Sequence, residues 1–303
     1  MKIPRVTVIG AANIDVVGFP NKKLIYKDDV PGYLKTSIGG VGRNIAANLS
    51  KLGYDVEFLT ILAKDDFGKK IKKSCRDLNI SIRYSLEIQN AKTSTFLAIM
   101  NEDNNMVYGI AAMDIYTKIP SSFILDNLSV IKENIYCVLE TNMPQSILDL
   151  VIEKSPNTLF FLDAVSGTKS LKAKGLLSKL HVLKCNLIEA ELLSDVEVKE
   201  ANYQLIISYF INQGVEKVFI TLGSSGVVYG DASGFYHSKS TAILPINTSG
   251  GGDAFMAGLV LANNYSIHQM VKAATACAEL TILHEETVHP KINKNLILKQ
   301  IDA

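Results

Sequence analysis

Short apolar runs of β type alternate with longer helical patterns along most of the 303 residues, and this rhythm constrains the fold more than any other feature. Strands are expected at 6–10, 56–62, 135–139, 158–162, 182–184 and 218–222. Helices are expected at 41–52, 67–78, 145–154, 203–213, 252–263 and 268–284. The strand runs are continuously apolar, the pattern of strands buried on both faces between layers of helices. A three-layer α/β/α body with a mainly parallel central sheet follows. No repeat, low-complexity tract or long polar linker divides the chain, so 1–303 reads as a single domain.

Two stretches break the rhythm. About 15–38 and 92–116 carry further β-type runs, such as 94–100 and 106–111, outside the parallel series. They read as a small β lid inserted into the body, or as edge hairpins that extend the main sheet. Ligands in such folds sit beyond the carboxyl ends of the strands, so a lid there would close over a site.

Charge narrows the partners. The 31 Lys and Arg against 30 Asp and Glu leave a formal +1, without the basic excess of a nucleic-acid platform. That balance offers no attraction to an anionic membrane either. No apolar run approaches the ~20 residues of a membrane-spanning helix. The opening MKIPRVTVIG enters a strand-like run without the pattern of a secretory signal. Cys75, Cys137, Cys185 and Cys277 are scattered, with no CxxC and no His at metal-ligand spacing, as expected of reduced core residues in a cytoplasmic protein.

The sharpest local feature is Asn247-Thr248-Ser249-Gly250-Gly251-Gly252-Asp253-Ala254-Phe255, leading into a helical run. Three consecutive glycines let the backbone approach a ligand closely and set successive N–H groups around one concavity. A helix starting there adds free N–H donors and the positive end of its dipole. Gly250, Gly251 and Gly252 thus form an anion hole suited to a transferring phosphoryl group. A carboxylate beside phosphates is a poor ligand but a good base, so Asp253 can take the proton of an attacking hydroxyl, worth ~10²–10⁴ in rate. Alone, the string fits equally a tight turn with Asp253 as a helix cap. It is neither a Walker A loop, lacking a following Gly-Lys-Ser/Thr, nor a dinucleotide fingerprint after a first strand.

A second glycine pair opens a helix at Gly39-Gly40-Val41-Gly42-Arg43-Asn44-Ile45-Ala46. Gly39 and Gly40 remove side chains where a ligand could lie against backbone, and Asn44 offers a donor and an acceptor; a glycine-rich helix start with Asn44 on its polar side is the plain alternative. The first strand exits through Gly10-Ala11-Ala12-Asn13-Ile14-Asp15. There Asp15 can clamp adjacent hydroxyls by charge-assisted hydrogen bonds. A turn aspartate after a strand is the plain alternative.

Residues 247–255 resemble the Asp-Thr-Thr-Gly-Ala-Gly-Asp-Ala-Phe signature of the ribokinase-like (PfkB) sugar and nucleoside kinases, departing at Asn247, Ser249 and Gly251. Residues 39–46 are similar to the family's other hallmark, a Gly-Gly pair followed by Asn, and the resemblance spans about 4–300. It implies a ribokinase-like fold in which Asn13, Asp15, Gly39, Gly40 and Asn44 hold the acceptor sugar. Lys184-Cys185-Asn186-Leu187-Ile188-Glu189 looks like the family's Asn-x-x-Glu element. That implies Asn186 near the phosphates and Glu189 acting on Mg2+ through water, consistent with a cation that keeps several waters and meets few carboxylates. Thr221, Gly223 and Gly226 match the loop that contacts ATP, with adenine between it and 274–278. Asn247 and Ser249 stand where the family binds a monovalent cation such as K+, Asn247 replacing an acid.

Within the family, four strings are most similar to the branch that phosphorylates pseudouridine. They are residues 39–46, residues 10–16, Ala112-Met113-Asp114-Ile115, and Asp163-Ala164-Val165-Ser166 with Lys169. This implies transfer of the ATP γ-phosphate to the nucleoside 5′-hydroxyl. Ser94, Thr95, Met113 and Asp114 would wall the base, although Thr95 and Met113 read equally as core residues. Ribose or another nucleoside as acceptor, and a catalytically silent nucleoside sensor, are the competing readings. The resemblance also implies a homodimer paired through exposed lid edges.

Overall fold

The computed structural model describes residues 3–197, 199–240 and 243–301. Nine strands form the main sheet in the order Gly234–Ser238, Val227–Asp231, Lys217–Thr221, Val182–Asn186, Leu159–Asp163, Tyr136–Glu140, Arg5–Ile9, Asp55–Leu59, Ile80–Ser81. From Lys217–Thr221 to Ile80–Ser81 every pairing is parallel. The two remaining edge strands are antiparallel.

Helices cover both faces, giving the three-layer α/β/α architecture expected. Val41–Lys51, Asp66–Asp77, Gly251–Leu261, Ile267–Ile282 and Lys294–Ile301 bury one apolar layer. Gln145–Lys154, Leu187–Ser194 and Tyr203–Asn212 bury the other. Side chains alternate between the layers along each strand: Phe161 joins the first core, Phe160 and Leu162 the second. That double burial is why the strand runs are continuously apolar.

The structure departs from expectation at 56–62. Asp55–Leu59 stays in the main sheet, whereas Ile61–Ala63 pairs with Leu86–Ile88 in a two-stranded sheet of its own. Thr60 marks the break, its N–H donating to Ser85 Oγ at 3.1 Å instead of to a strand. Every residue from Val56 to Ala63 is buried, so the apolar run carries no trace of the break. The edge strands Val227–Asp231 and Gly234–Ser238 and the helix Leu187–Ser194 are further elements beyond those expected.

The two stretches outside the parallel series form a separate four-stranded sheet, ordered Gly32–Gly39, Asn13–Pro20, Thr95–Met100, Met106–Ala112. Its register puts Asp15, Ser37, Phe96 and Ala111 on one face, and Gly18, Leu34, Ile99 and Tyr108 on the other. Asn13 pairs with Gly39 at its root, so this sheet leaves the body beside the carboxyl end of the first strand. Among the described residues no helix is long and apolar enough to cross a membrane, and all four cysteines are buried free thiols.

Candidate active site

Parallel strands deliver charged residues to one edge of the sheet. Glu140 and Asp163 end their strands as cross-strand partners, and Asp163 pairs in turn with Lys184. Lys184 Nζ donates to Asp163 Oδ2 at 2.9 Å, both side chains buried. Burial alone would lower the Lys184 pKa, but Asp163, then Glu189 and Asp253, hold the ammonium above the ordinary lysine range. Glu140 accepts from the Ala11 N–H and, at 2.6 Å, from the Asn142 N–H. Burial pushes it up to about 7, with those two N–H groups opposing.

The glycine-rich segment lies against this row. Gly250 has φ 84, and any side chain there would run into the Thr287 carbonyl oxygen. It caps the helix Gly251–Leu261, whose first N–H groups have no intrahelical partner. A Cβ at Gly252 would lie 2.8 Å from Lys184 Nζ, so the glycine leaves room for that buried cation. Asp253, in the first turn, is buried and pushed up to about 7. Burial is the main cause and Asp163 adds to it, while Asn44 and Lys184 oppose. Asn44 Nδ2 donates to Asp253 Oδ2 at 2.9 Å. Asp253 Oδ1 has no protein hydrogen-bond partner among the described residues.

The other glycine element reaches the same place. Gly40, with φ 100, caps the helix Val41–Lys51, and a Cβ on it would lie 2.5 Å from the Ala11 carbonyl oxygen. A side chain at Gly39 would collide with the Asp15 carboxylate. Asp15 accepts from Asn13 Nδ2 at 2.5 Å. Half-burial raises its pKa, against the Asn13 hydrogen bond and the Arg43 charge. Asn44 thus meets Asp253 directly, while Asn13, Asp15, Gly39 and Gly40 cluster with one another at the foot of the small sheet, beside the start of the helix that carries Asn44. Both ends of the Asn44 amide are engaged within the protein.

Asn186 and Glu189 form a reciprocal capping box at the start of Leu187–Ser194. Glu189 Oε2 accepts from Asn186 N–H at 2.8 Å and Oε1 from Asn186 Nδ2 at 2.6 Å. Burial raises the Glu189 pKa and Lys184 opposes. Thr221 is the cross-strand partner of Asn186, and Gly223 and Gly226 turn the chain after it with φ 60 and 98. Asn247 Nδ2 donates to the Glu285 carbonyl at 2.8 Å, and Asn247 Oδ1 accepts from Ser249 N–H at 2.9 Å.

Among the suggested wall residues, Ser94 Oγ donates to the Ala12 carbonyl at 3.0 Å, while Thr95 Oγ1 donates to Thr93 at 3.3 Å. Met113 Sδ lies 3.5 Å from Lys169 Nζ. Asp114 is exposed, and its carboxylate meets none of the residues above. Sequence reasoning missed Glu140 and Tyr116, and gave Asp163, Lys169 and Lys184 no role. Tyr116 pins the strand exit, its hydroxyl accepting from Ala12 N–H at 2.8 Å and donating to Ala12 O at 3.0 Å. Lys169 Nζ donates to Asn142 Oδ1 at 2.6 Å. Val165 sits at φ 63, strained for a β-branched residue, with its N–H held by Asp163 Oδ1 at 2.9 Å. An acid closing an apolar strand, as in YCVLE and LFFLD, is the signal that marks Glu140 and Asp163.

Such an arrangement can hold an anion on helix N–H groups while a carboxylate titrating near neutrality takes a proton beside it. The comparisons with known proteins agree with that chemistry. Pseudouridine kinase of Escherichia coli is 30% identical over 294 residues, covering 95% of this chain and 93% of that one. An uncharacterized sugar kinase of E. coli is 28% identical over 278 residues, covering 90% and 77%. The solved ribokinase of Arabidopsis thaliana, complexed with ribose and ATP, covers 100% of both chains with a TM-score of 0.89 at 22% identity, and so shares the fold. The pfkB family carbohydrate kinase profile matches residues 4–294. The chain belongs to the pfkB family of carbohydrate kinases.

Proposed function

We propose that this chain transfers the γ-phosphate of ATP to the 5′-hydroxyl of pseudouridine. Asp253 carries the reading: a buried carboxylate with a pKa of about 7 and one open oxygen, at the N-terminus of a glycine-opened helix. In the reaction Asp253 Oδ1 takes the 5′-hydroxyl proton. The 5′ oxygen bonds to the γ-phosphorus as the bond to the β-bridging oxygen breaks, releasing ADP. The N–H groups of Gly250, Gly251 and Gly252 stabilise the charge on the transferring group. Asn13 and Asp15 hold the ribose against the Gly39–Gly40 backbone. Similarity to the E. coli pseudouridine kinase supports the choice of nucleoside. Lys169, fixed beside Asn142 and Met113, offers a cationic donor suited to the carbonyl oxygens of a uracil ring.

Thr221, Gly223 and Gly226 contact ATP, with adenine against 274–278. Among the described residues no three His, Cys, Asp or Glu converge as a metal cage. Mg2+ would be carried by the phosphates and water, with Glu189 as an outer ligand, and would neutralise phosphate charge. The four-stranded sheet serves as a lid. Its face opposite Asp15 exposes Leu34 (71%), Tyr108 (65%) and Ile110 (60%), an apolar surface suited to pairing lids in a homodimer. Asp253→Asn is expected to abolish ATP-dependent phosphorylation while calorimetry still detects pseudouridine binding. Wild-type turnover in that variant would refute the assignment of the base.

A further inference from the structure

The amide of Asn44 has one orientation compatible with its neighbours. Nδ2 donates to Asp253 Oδ2 at 2.9 Å, while Oδ1 accepts from Arg43 Nη1 at 3.2 Å and from Thr287 Oγ1 at 3.4 Å. Exchanging oxygen and nitrogen would set a carbonyl oxygen against a carboxylate and an NH2 against a guanidinium. The guanidinium therefore decides what the base meets without a hydrogen bond to it. Arg43 is itself fixed, at 7% exposure. Its backbone N–H donates to Ala11 O at 3.0 Å and Nη2 to Ser74 Oγ at 2.6 Å. Its Nε is buried with no partner, a cost that packing alone does not explain, since an apolar side chain of similar length would avoid it.

We propose that Arg43 is a positioning residue for the base: it locks the Asn44 amide so that one oxygen of Asp253 is held and the other stays open for the acceptor hydroxyl. The inference rests on the reading of Asp253 given above. The charged groups facing Asp253 are Asp163, Lys184 and Glu140 from the strand ends and Arg43 from the helix Val41–Lys51. Those facing Arg43, besides Asp253, are Asp15 and Glu286, with the Cys75 thiol. Without Arg43 the amide can turn its oxygen to the carboxylate. The base then loses both a hydrogen bond and a nearby cation that favour its charged form, so it ionises at higher pH.

The test is the pH dependence of kcat and of acceptor KM, from pH 5.5 to 9.5, for wild type, Arg43→Met, Arg43→Lys and Asp253→Asn. The acceptor is pseudouridine, or ribose where ribose turns over faster. Arg43→Met is expected to lower kcat at pH 7 by at least about tenfold and move its acid limb up by about one pH unit, with acceptor KM within about threefold. Arg43→Lys restores only part of kcat, because a point charge cannot fork between Asn44 and Ser74. An acid limb at the wild-type position, or a loss lodged in acceptor KM, overturns the proposal. If Arg43→Met does not fold, Arg43→Lys decides: a wild-type kcat and limb overturn the proposal. Activity in Asp253→Asn would remove the base itself, whereas an inactive Asp253→Asn with an unmoved limb in the Arg43 variants would remove only the positioning role.

Discussion

Replacing Asp253 by Asn should stabilise this protein as it silences it. Burial lifts the Asp253 carboxyl from 3.8 to about 7, with the Asp163 charge adding and Asn44 and Lys184 opposing. A carboxyl whose folded pKa is raised destabilises the fold wherever it must ionise. The penalty is absent below about pH 4, where folded and unfolded chains are both protonated there. It grows as pH rises and is complete above about 7. At about 1.36 kcal/mol per tenfold change in proton affinity, the full penalty is about 4 kcal/mol. Asparagine keeps the shape and can still accept from Asn44 Nδ2 without carrying the charge. Urea unfolding at pH 8 should therefore show Asp253→Asn more stable by up to about 4 kcal/mol, with Tm higher by roughly 6–12 °C. At pH 5 the advantage should shrink to about 1–2 kcal/mol. A variant no more stable than wild type at pH 8, or an advantage independent of pH, would refute the reasoning.

Two further outcomes follow from the same geometry. Lys184→Met strips the buried cation from Asp163 and should cost about 3–5 kcal/mol of stability by urea unfolding. Any residual activity should have its acid limb moved to higher pH, because Lys184 favours the ionised form of Asp253. Wild-type stability in this variant would contradict the role given to the pair. Sedimentation equilibrium at micromolar protein should report a dimer that Tyr108→Lys shifts toward monomer. A monomeric wild type would contradict pairing through the lid.

The legible and hidden parts of this molecule separate on physical grounds. Helices covering both faces demand apolar strands throughout, so most strands of the parallel series were visible as runs. The same uniformity hid the break at Thr60, since Leu59 and Ile61 are both fully buried. Glycine clusters stood out because few backbones need them, and Gly40 and Gly250 do adopt positive φ against carbonyl oxygens. The row Glu140, Asp163 and Lys184 was not legible, because it depends on which strands become neighbours, and spatial order is not written along the chain. Asn186 and Glu189 show a different limit. Their spacing serves equally as a helix cap and as a phosphate-side pair, and the structure displays the cap. Asn44 was expected to offer its amide to sugar hydroxyls, and no sequence signal showed that the amide also bonds Arg43, its chain neighbour, and Asp253, on a helix distant along the chain.

Initial rates of ATP-dependent phosphorylation across pseudouridine, uridine, adenosine and ribose, with purified protein and Mg2+, test the central claim most directly. Pseudouridine is expected to give the highest kcat/KM of the four, with phosphate on its 5′ oxygen. Ribose or adenosine turned over faster than pseudouridine would contradict the assigned acceptor, and no transfer to any of them would contradict phosphoryl transfer itself.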